Sequence, residues 1–251
     1  MSQIDLQMTV LEDIEPPVLP ITLHSTPSGD SPVTGKLRAG ETVMSKELDD
    51  LSGCWVKVEA EGGGGWCHLR DLVPTAAAGL PWMPWAQRQV GVNNKTHKSR
   101  IEEYIRSVSS SLAMDKDWCA CFMYWCMKQC NKPRVKTTFA KEWKAWPGAA
   151  LRNGPGRIPE DTKPGDMAIG ERLLKGGKLG HIAFIIAWEQ DPKDPFKDRL
   201  LLLGGNQRMD PRDQDKEGLK SVRYTWYPRE NKEPYGKFLY TLYQPTVTNG
   251  D

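Results

Sequence analysis

Residues 117–130 read DWCACFMYWCMKQC, and this stretch decides the kind of domain built around it. Asp117 followed by an unbroken run of apolar residues predicts a helix capped by Asp117 and stopped at Asn131-Lys132-Pro133. A carboxylate satisfies free amides at a helix start, and proline cannot continue a helix. Cys119 then falls in the first turn, where unpaired N–H groups and the positive end of the helix dipole favour a thiolate over a thiol. A cysteine nucleophile needs a base within hydrogen-bond reach and a third group that orients the base.

The chain has four histidines, at 24, 68, 97 and 181. The first two lie among short strand-forming runs and His97 sits in a polar stretch, so His181 is the candidate base. It opens the run GHIAFIIAW, residues 180–188. Strand alternation puts His181, Ala183, Ile185 and Ala187 on one face and Ile182, Phe184, Ile186 and Trp188 on the other. The small residues beside His181 predict that the Cys119 helix packs on that face. Asn206 in LLLGGNQ, residues 201–207, is the candidate orienting amide. Gln207 is its rival, because a bulge at Gly204-Gly205 exchanges the faces. On residue chemistry alone the bland alternative stays open: a cysteine in a helix is commonly a small buried hydrophobe.

Cysteines at 119, 121, 126 and 130 also raise the question of a metal. At about 100° per residue, Cys126 and Cys130 fall within about 20° of Cys119, whereas Cys121 points about 160° away. Four ligands do not converge from one straight helix in that way, and the spacing matches no common zinc or iron–sulfur pattern. No metal is expected from this spacing.

Working outward, the N-terminal quarter reads as β. Runs at 21–24, 41–44, 54–59 and 66–69 are separated by turn signals at Pro27-Ser-Gly-Asp, Arg38-Ala-Gly and Glu61-Gly-Gly-Gly-Gly, which predicts a small barrel over residues 1–75. Turning at Gly62–Gly65 pairs Cys67 near Val58 and leaves Cys54 too distant for a disulfide. Residues 76–80 read as a linker, and 81–251 as a second domain. That domain has helices over 82–90, 99–108, 117–130 and 139–146. After a Gly/Pro-rich excursion at 147–164 come strands near 166–169, 181–188, 199–203, 221–226 and 238–243. Helices first and strands later indicate α+β.

Charge excludes some partners. The 34 basic and 32 acidic residues leave a net charge of +2, which gives no basis for a nucleic-acid partner. The apolar runs are too short to span a bilayer, so a soluble chain without membrane insertion is expected. The opening MSQIDLQ lacks the basic and apolar regions of a secretory signal, which predicts cytoplasmic synthesis and export, if any, by another route.

Two resemblances extend this reading. The pattern "AGETV … WVKVEAEGGGGWCHLRDL" (39–43 and 55–72) resembles the bacterial SH3-like domain, whose members often bind cell-wall peptides and in many cases serve only as scaffolds. From Pro81 to about Pro245 the chain resembles the NlpC-type, papain-like cysteine amidases and peptidases close to the CHAP amidases. The pieces PWMPWAQRQVGV, SRIEEYIRSV, DWCACFMYWCMKQC, FAKEWKAW, KPGDMAI, GHIAFI, LLLGGNQ and the closing SVRYTWYP … LYTLYQP occur in that family's order. The resemblance implies a nucleophile helix packed on an antiparallel sheet, with Cys119 as nucleophile, His181 as base and Asn206 as third residue. It implies cleavage of amide bonds in peptidoglycan, by an amidase or endopeptidase, with no metal or organic cofactor.

Two departures leave substrate preference open. Val92-Asn-Asn stands where close relatives have an acidic residue, and residues 208–219 form a charged insertion. Among the contexts in which such enzymes occur, the missing signal favours an injected antibacterial toxin of the type VI secretion kind acting in a target's periplasm, with a secretion-apparatus component and an immunity protein as partners. A phage-type lysin, a protein-modifying acyltransferase and a non-catalytic wall-binding protein are the alternatives.

Overall fold

The computed structural model describes residues 1–12, 21–111, 117–146, 149–153, 158, 161–172, 180–194, 197–208, 218–228, 230–233 and 236–245. Most of the Gly/Pro-rich excursion and of the charged insertion lies outside them. The architecture is α+β, in two compact units: Met1–Gly91 with Arg208–Gly218, and Val92–Gln207 with Leu219–Asp251. Residues 76–80, read above as a linker, lie within the first unit.

The first unit is a seven-stranded sheet of β1 (Ser2–Val10), β2 (Ile21–His24), β3 (Val33–Leu37), β4 (Thr42–Leu48), β5 (Trp55–Ala60), β6 (Gly63–His68) and β7 (Leu72–Pro74), in the order β3-β2-β6-β5-β4-β1-β7. A short helix, α1 (Trp82–Gln87), follows. Strands β1 and β3 had no clear sequence signal. The first is irregular: its register with β4 shifts between Gln3 and Leu6. Buried Ser45 fills that break, its hydroxyl donating to the Leu6 carbonyl at 2.7 Å and accepting from the Leu6 N–H at 3.2 Å. A buried backbone pair left open would cost about 1–3 kcal/mol per group.

The glycine run corrects the expected hairpin. The turn is only Glu61-Gly62, since Ala60 pairs with Gly63, and Cys67 pairs with Val56 rather than Val58. Gly64 and Gly65 are strand residues because neighbours come too close for a side chain. A Cβ on Gly64 would stand 2.8 Å from the Val58 carbonyl oxygen, and one on Gly65 2.5 Å from Thr34 Oγ1. Cys54 donates its thiol hydrogen to the Ser52 carbonyl, 3.2 Å away.

The second unit begins with α2 (Lys98–Val108) and α3 (Cys119–Gln129). The expected helix over 139–146 is a 3-10 turn, Ala140–Ala145. Seven strands follow: β8 (Ala149–Asn153), β9 (Met167–Arg172), β10 (Gly180–Glu189), β11 (Arg199–Arg208), β12 (Lys220–Pro228), β13 (Glu230–Glu233) and β14 (Gly236–Pro245), in the order β12-β11-β10-β9-β14-β13 with β8 on β14. Every residue of α3 from Cys119 to Met127 is buried, so this helix is apolar all round and runs through the interior. Tyr104 of α2 packs its ring against Trp118, Phe122 and Trp125 at centroid distances of 6.0, 5.6 and 5.2 Å. Each such ring contributes about 1.5–3 kcal/mol by burial.

Strand β10 follows the expected alternation only to Ile185. There the register with β11 slips, Ile185 opposing Leu202 but Ala187 opposing Leu201. The bulge turns Trp188 onto the same face as Ala183 and Ile185, where it packs on a cluster with Ile158, Ala168, Leu200 and Leu202. Ala187 and Trp188 therefore exchange the faces the alternation had given them.

Candidate functional site

Helix α3 and the neighbouring ends of β10 and β11 carry the candidate residues. The residue capping α3 is Trp118, with φ −106° and ψ 12° and no side-chain hydrogen bond to the first turn. Asp117 is therefore not the cap. Its carboxylate turns outward, accepts a 2.8 Å hydrogen bond from Asn206 Nδ2 and lies 3.7 Å from Lys220 Nζ. Asp117 also acts on both candidate groups, adding to the rise in the Cys119 pKa and opposing the fall in that of His181. The sequence signal for that role was its place two residues before the cysteine, which had been read as capping instead.

Cys119 is the first residue of α3 and is 3% exposed. The Ile182 amide, next in sequence to His181, favours the charged form of its thiol. Burial pushes the Cys119 thiol up to about 11, against the downward pull of the Ile182, Ala120 and Cys119 amides. The expected resting thiolate is thus corrected. Desolvation of the charged form outweighs the helix end, and Asp117 adds to it. Cys121 is raised further, to about 12, also by burial. Trp118, which precedes Cys119, is likewise buried, at 3% exposure.

His181 pairs with Gly170 of β9 and stacks beside Tyr227, ring centroids 5.8 Å apart. Burial lowers its pKa to about 4, with Asp117 opposing the shift, so the ring is neutral near pH 7. Its Nε2 is fully buried without a hydrogen-bond partner among the described residues.

The reason is the glycine pair of β11. A Cβ on Gly204 would stand 3.3 Å from His181 Nε2, 2.8 Å from Ala183 Cβ and 2.7 Å from Gln207 Nε2. A Cβ on Gly205 would stand 2.6 Å from the Trp118 ring and 2.8 Å from Phe122 Cβ. Successive strand residues point to opposite faces. Trp118 and Phe122 of the α3 segment thus cross β11 on the face opposite the buried His181 nitrogen, and the expectation that they share a face is corrected. The large apolar residues, not the small ones, receive the helix.

Asn206 has φ +60°, a left-handed conformation that asparagine tolerates better than most residues. This kink, rather than a bulge at the glycines, aims Gln207 back to the Gly204 side. Asn206 binds Asp117, and Gln207, 1% exposed, stands with His181 against Gly204. Gln207 Oε1 is buried without a partner among the described residues, and its Nε2 makes only a 3.5 Å contact to the Leu202 carbonyl.

A neutral buried imidazole has a consequence for stability. The unfolded chain binds a proton at His181 near pH 6.5, the folded chain only near 4. Stability is therefore retained above about pH 6.5 and lost as pH falls toward 4, with a limiting slope of about 1.4 kcal/mol per pH unit for one group. Urea melts between pH 7 and 4.5 should show this loss, and His181→Gln should make the acid slope shallower by about one proton. Equal slopes in the two chains would refute the buried neutral ring.

Residues 20–73 match the family model described as Bacterial SH3 domain. No curated protein matches the sequence. Among solved structures the chain is similar to NlpC2 from Trichomonas vaginalis, at 12% identity over 96% of this chain and 72% of that one, with a TM-score of 0.26. It is also similar to NlpC1 from the same organism, at 12% identity over 89% and 70%, with a TM-score of 0.23.

Proposed function

We propose that the chain is a cysteine-dependent peptidoglycan hydrolase that cuts an amide bond of the wall peptide through Cys119 and His181. The observation that carries this reading is the seating of Cys119 at the head of α3, where the amide of Ile182, the residue after His181, pulls the thiol pKa down. The motif order along the chain supports the same assignment.

The resting pair is neutral thiol and neutral imidazole, so His181 acts as general base during attack. As the Cys119 sulfur bonds to the substrate carbonyl carbon, its proton passes to the ring. The ring then gives that proton to the departing amine as the C–N bond breaks, and water releases the acyl group from the thioester. Nε2 faces Gly204 and Gln207, so Nδ1 is the nitrogen that moves the proton. The N–H groups of Cys119 and Ala120, in the first turn of α3, can stabilise the developing oxyanion. A half-turn of the Gln207 amide presents Oε1 toward Nε2–H, which gives both buried atoms a partner. Gln207 is then the orienting residue, and Asn206 holds Asp117.

The biological reading is an antibacterial effector that acts on the wall in a target's periplasm, with an immunity protein in the producer. The SH3-like segment is its wall-binding part. Purified sacculi incubated with the full chain should release fragments whose masses correspond to water added across a stem-peptide amide, at a rate unchanged by EDTA. Expression in the bacterial cytoplasm should be tolerated, whereas attaching a periplasmic signal peptide should cause rounding and lysis. Intact sacculi combined with toxicity of the cytoplasmic form would replace this reading with an intracellular protein target.

A further inference from the structure

The Val92–Asn94 segment runs along the start of β12 as a short extra edge of the second sheet. Asn93 bridges to Ser221, and the Val222 N–H donates to the Val92 carbonyl at 2.8 Å. Asn94 clamps the backbone of Lys220 twice. Its N–H donates to the Lys220 carbonyl at 3.0 Å, and its side-chain Oδ1 accepts from the Lys220 N–H at 3.0 Å.

The clamp fixes the root of a lysine side chain that is only 21% exposed. The Lys220 ammonium lies 3.7 Å from Asp117 Oδ1, the same oxygen that accepts from Asn206 Nδ2 at 2.8 Å. The carboxylate is thus held from β12 and from β11, two residues before Cys119. Asn206 in turn precedes Gln207, which stands with His181 against Gly204. Asp117 is 55% exposed, and an ion pair with one exposed partner adds little to folding stability. Its effect falls on the site instead. Among the described residues Asp117 is the charged group that acts on Cys119 and on His181. Cys121, the other thiol nearby, is kept neutral by burial. An ammonium on Asp117 offsets the charge that both reacting groups feel.

We infer, on the reading of Cys119 and His181 as the reacting pair, that Lys220 is a positioning residue of that site. Clamped by Asn94, its ammonium fixes and offsets the Asp117 carboxylate that adjoins the nucleophile.

The test reads thiol reactivity in the full chain. Lys220→Met removes the charge and keeps an unbranched apolar stem, whereas Lys220→Arg keeps the charge. Wild type and both variants are treated with iodoacetamide, a neutral reagent, between about pH 7 and 9, where only the thiolate reacts. Peptide mass spectrometry follows each cysteine separately. Without the ammonium the Asp117 carboxylate stands unopposed and disfavours the thiolate. Cys119 should then react about threefold more slowly in Lys220→Met, the equivalent of about half a pH unit for one water-screened charge. Cys130 should react at its wild-type rate, and Lys220→Arg should restore Cys119. On sacculi, kcat should fall by a similar factor with KM unchanged. A lysine that merely braced β12 would, when replaced, loosen the buried site and speed alkylation. An unchanged or faster Cys119 rate in Lys220→Met, no recovery in Lys220→Arg, or an effect confined to KM would each overturn the inference. Sacculi left intact by the wild-type chain, with the alkylation pattern as expected, would remove the hydrolase reading and leave the action of Lys220 on Cys119 standing.

Discussion

Cys119→Ala is expected to reduce peptidoglycan cleavage by about 10⁴-fold or more, the scale seen when a covalent nucleophile is removed from a working pair. The substitution trims one buried sulfur at the head of α3, a residue already followed by Ala120 and Cys121. The thermal midpoint should therefore stay within a few degrees of wild type, and the loss should be read in product release from sacculi. Cys121→Ala separates nucleophile from packing. Its thiol is pushed up to about 12 by burial, and its loss should leave most of the activity while lowering stability slightly. An active Cys119→Ala chain alongside an inactive Cys121→Ala chain would overturn the assignment.

His181→Ala should match Cys119→Ala in severity, and the double variant should be no worse than either, because the two act as one unit. The orienting residues should divide unequally. Gln207 shares the Gly204 contact with the imidazole, whereas Asn206 is turned to Asp117. Gln207→Ala should thus cost kcat about 10–100-fold and move the acid limb of its pH profile, with Gln207→Glu restoring part of the rate. Asn206→Ala should act on KM through Asp117. The reverse ranking, with Asn206→Ala the slower enzyme at saturating substrate, would return the orienting role to Asn206.

Much of this site was legible from residue order, since α3, β10 and β11 each begin within two residues of where the periodicity put them. What escaped the sequence was orientation. Asp117 has the composition of a cap but a better partner 89 positions away in Asn206, and no local pattern reports such a pair. The bulge between Ile185 and Ala187 and the left-handed Asn206 each turn a side chain to the opposite face, and alternation alone does not reveal either. The thiol's protonation state failed for a related reason. The helix end is a local feature, while the burial that overrides it depends on strands contributed from far along the chain. In the first unit the glycine run looked like a turn because glycine is common in turns. The close approach of Thr34 and His24 that requires it is tertiary.

The all-buried α3 carries a consequence for how the chain is made. Its apolar surface has no water-facing side, and the strands that cover it, β10 and β11, end at Glu189 and Arg208. Translation at roughly 5–20 residues per second leaves the α3 segment uncovered for roughly 4–16 seconds while the 79 residues from Cys130 to Arg208 are added. During that interval the ribosome displays an eleven-residue stretch, CACFMYWCMKQ, with three aromatic rings and three free thiols. The nascent chain is therefore a natural client for a holding chaperone, and its yield in a cell-free translation system should depend on one.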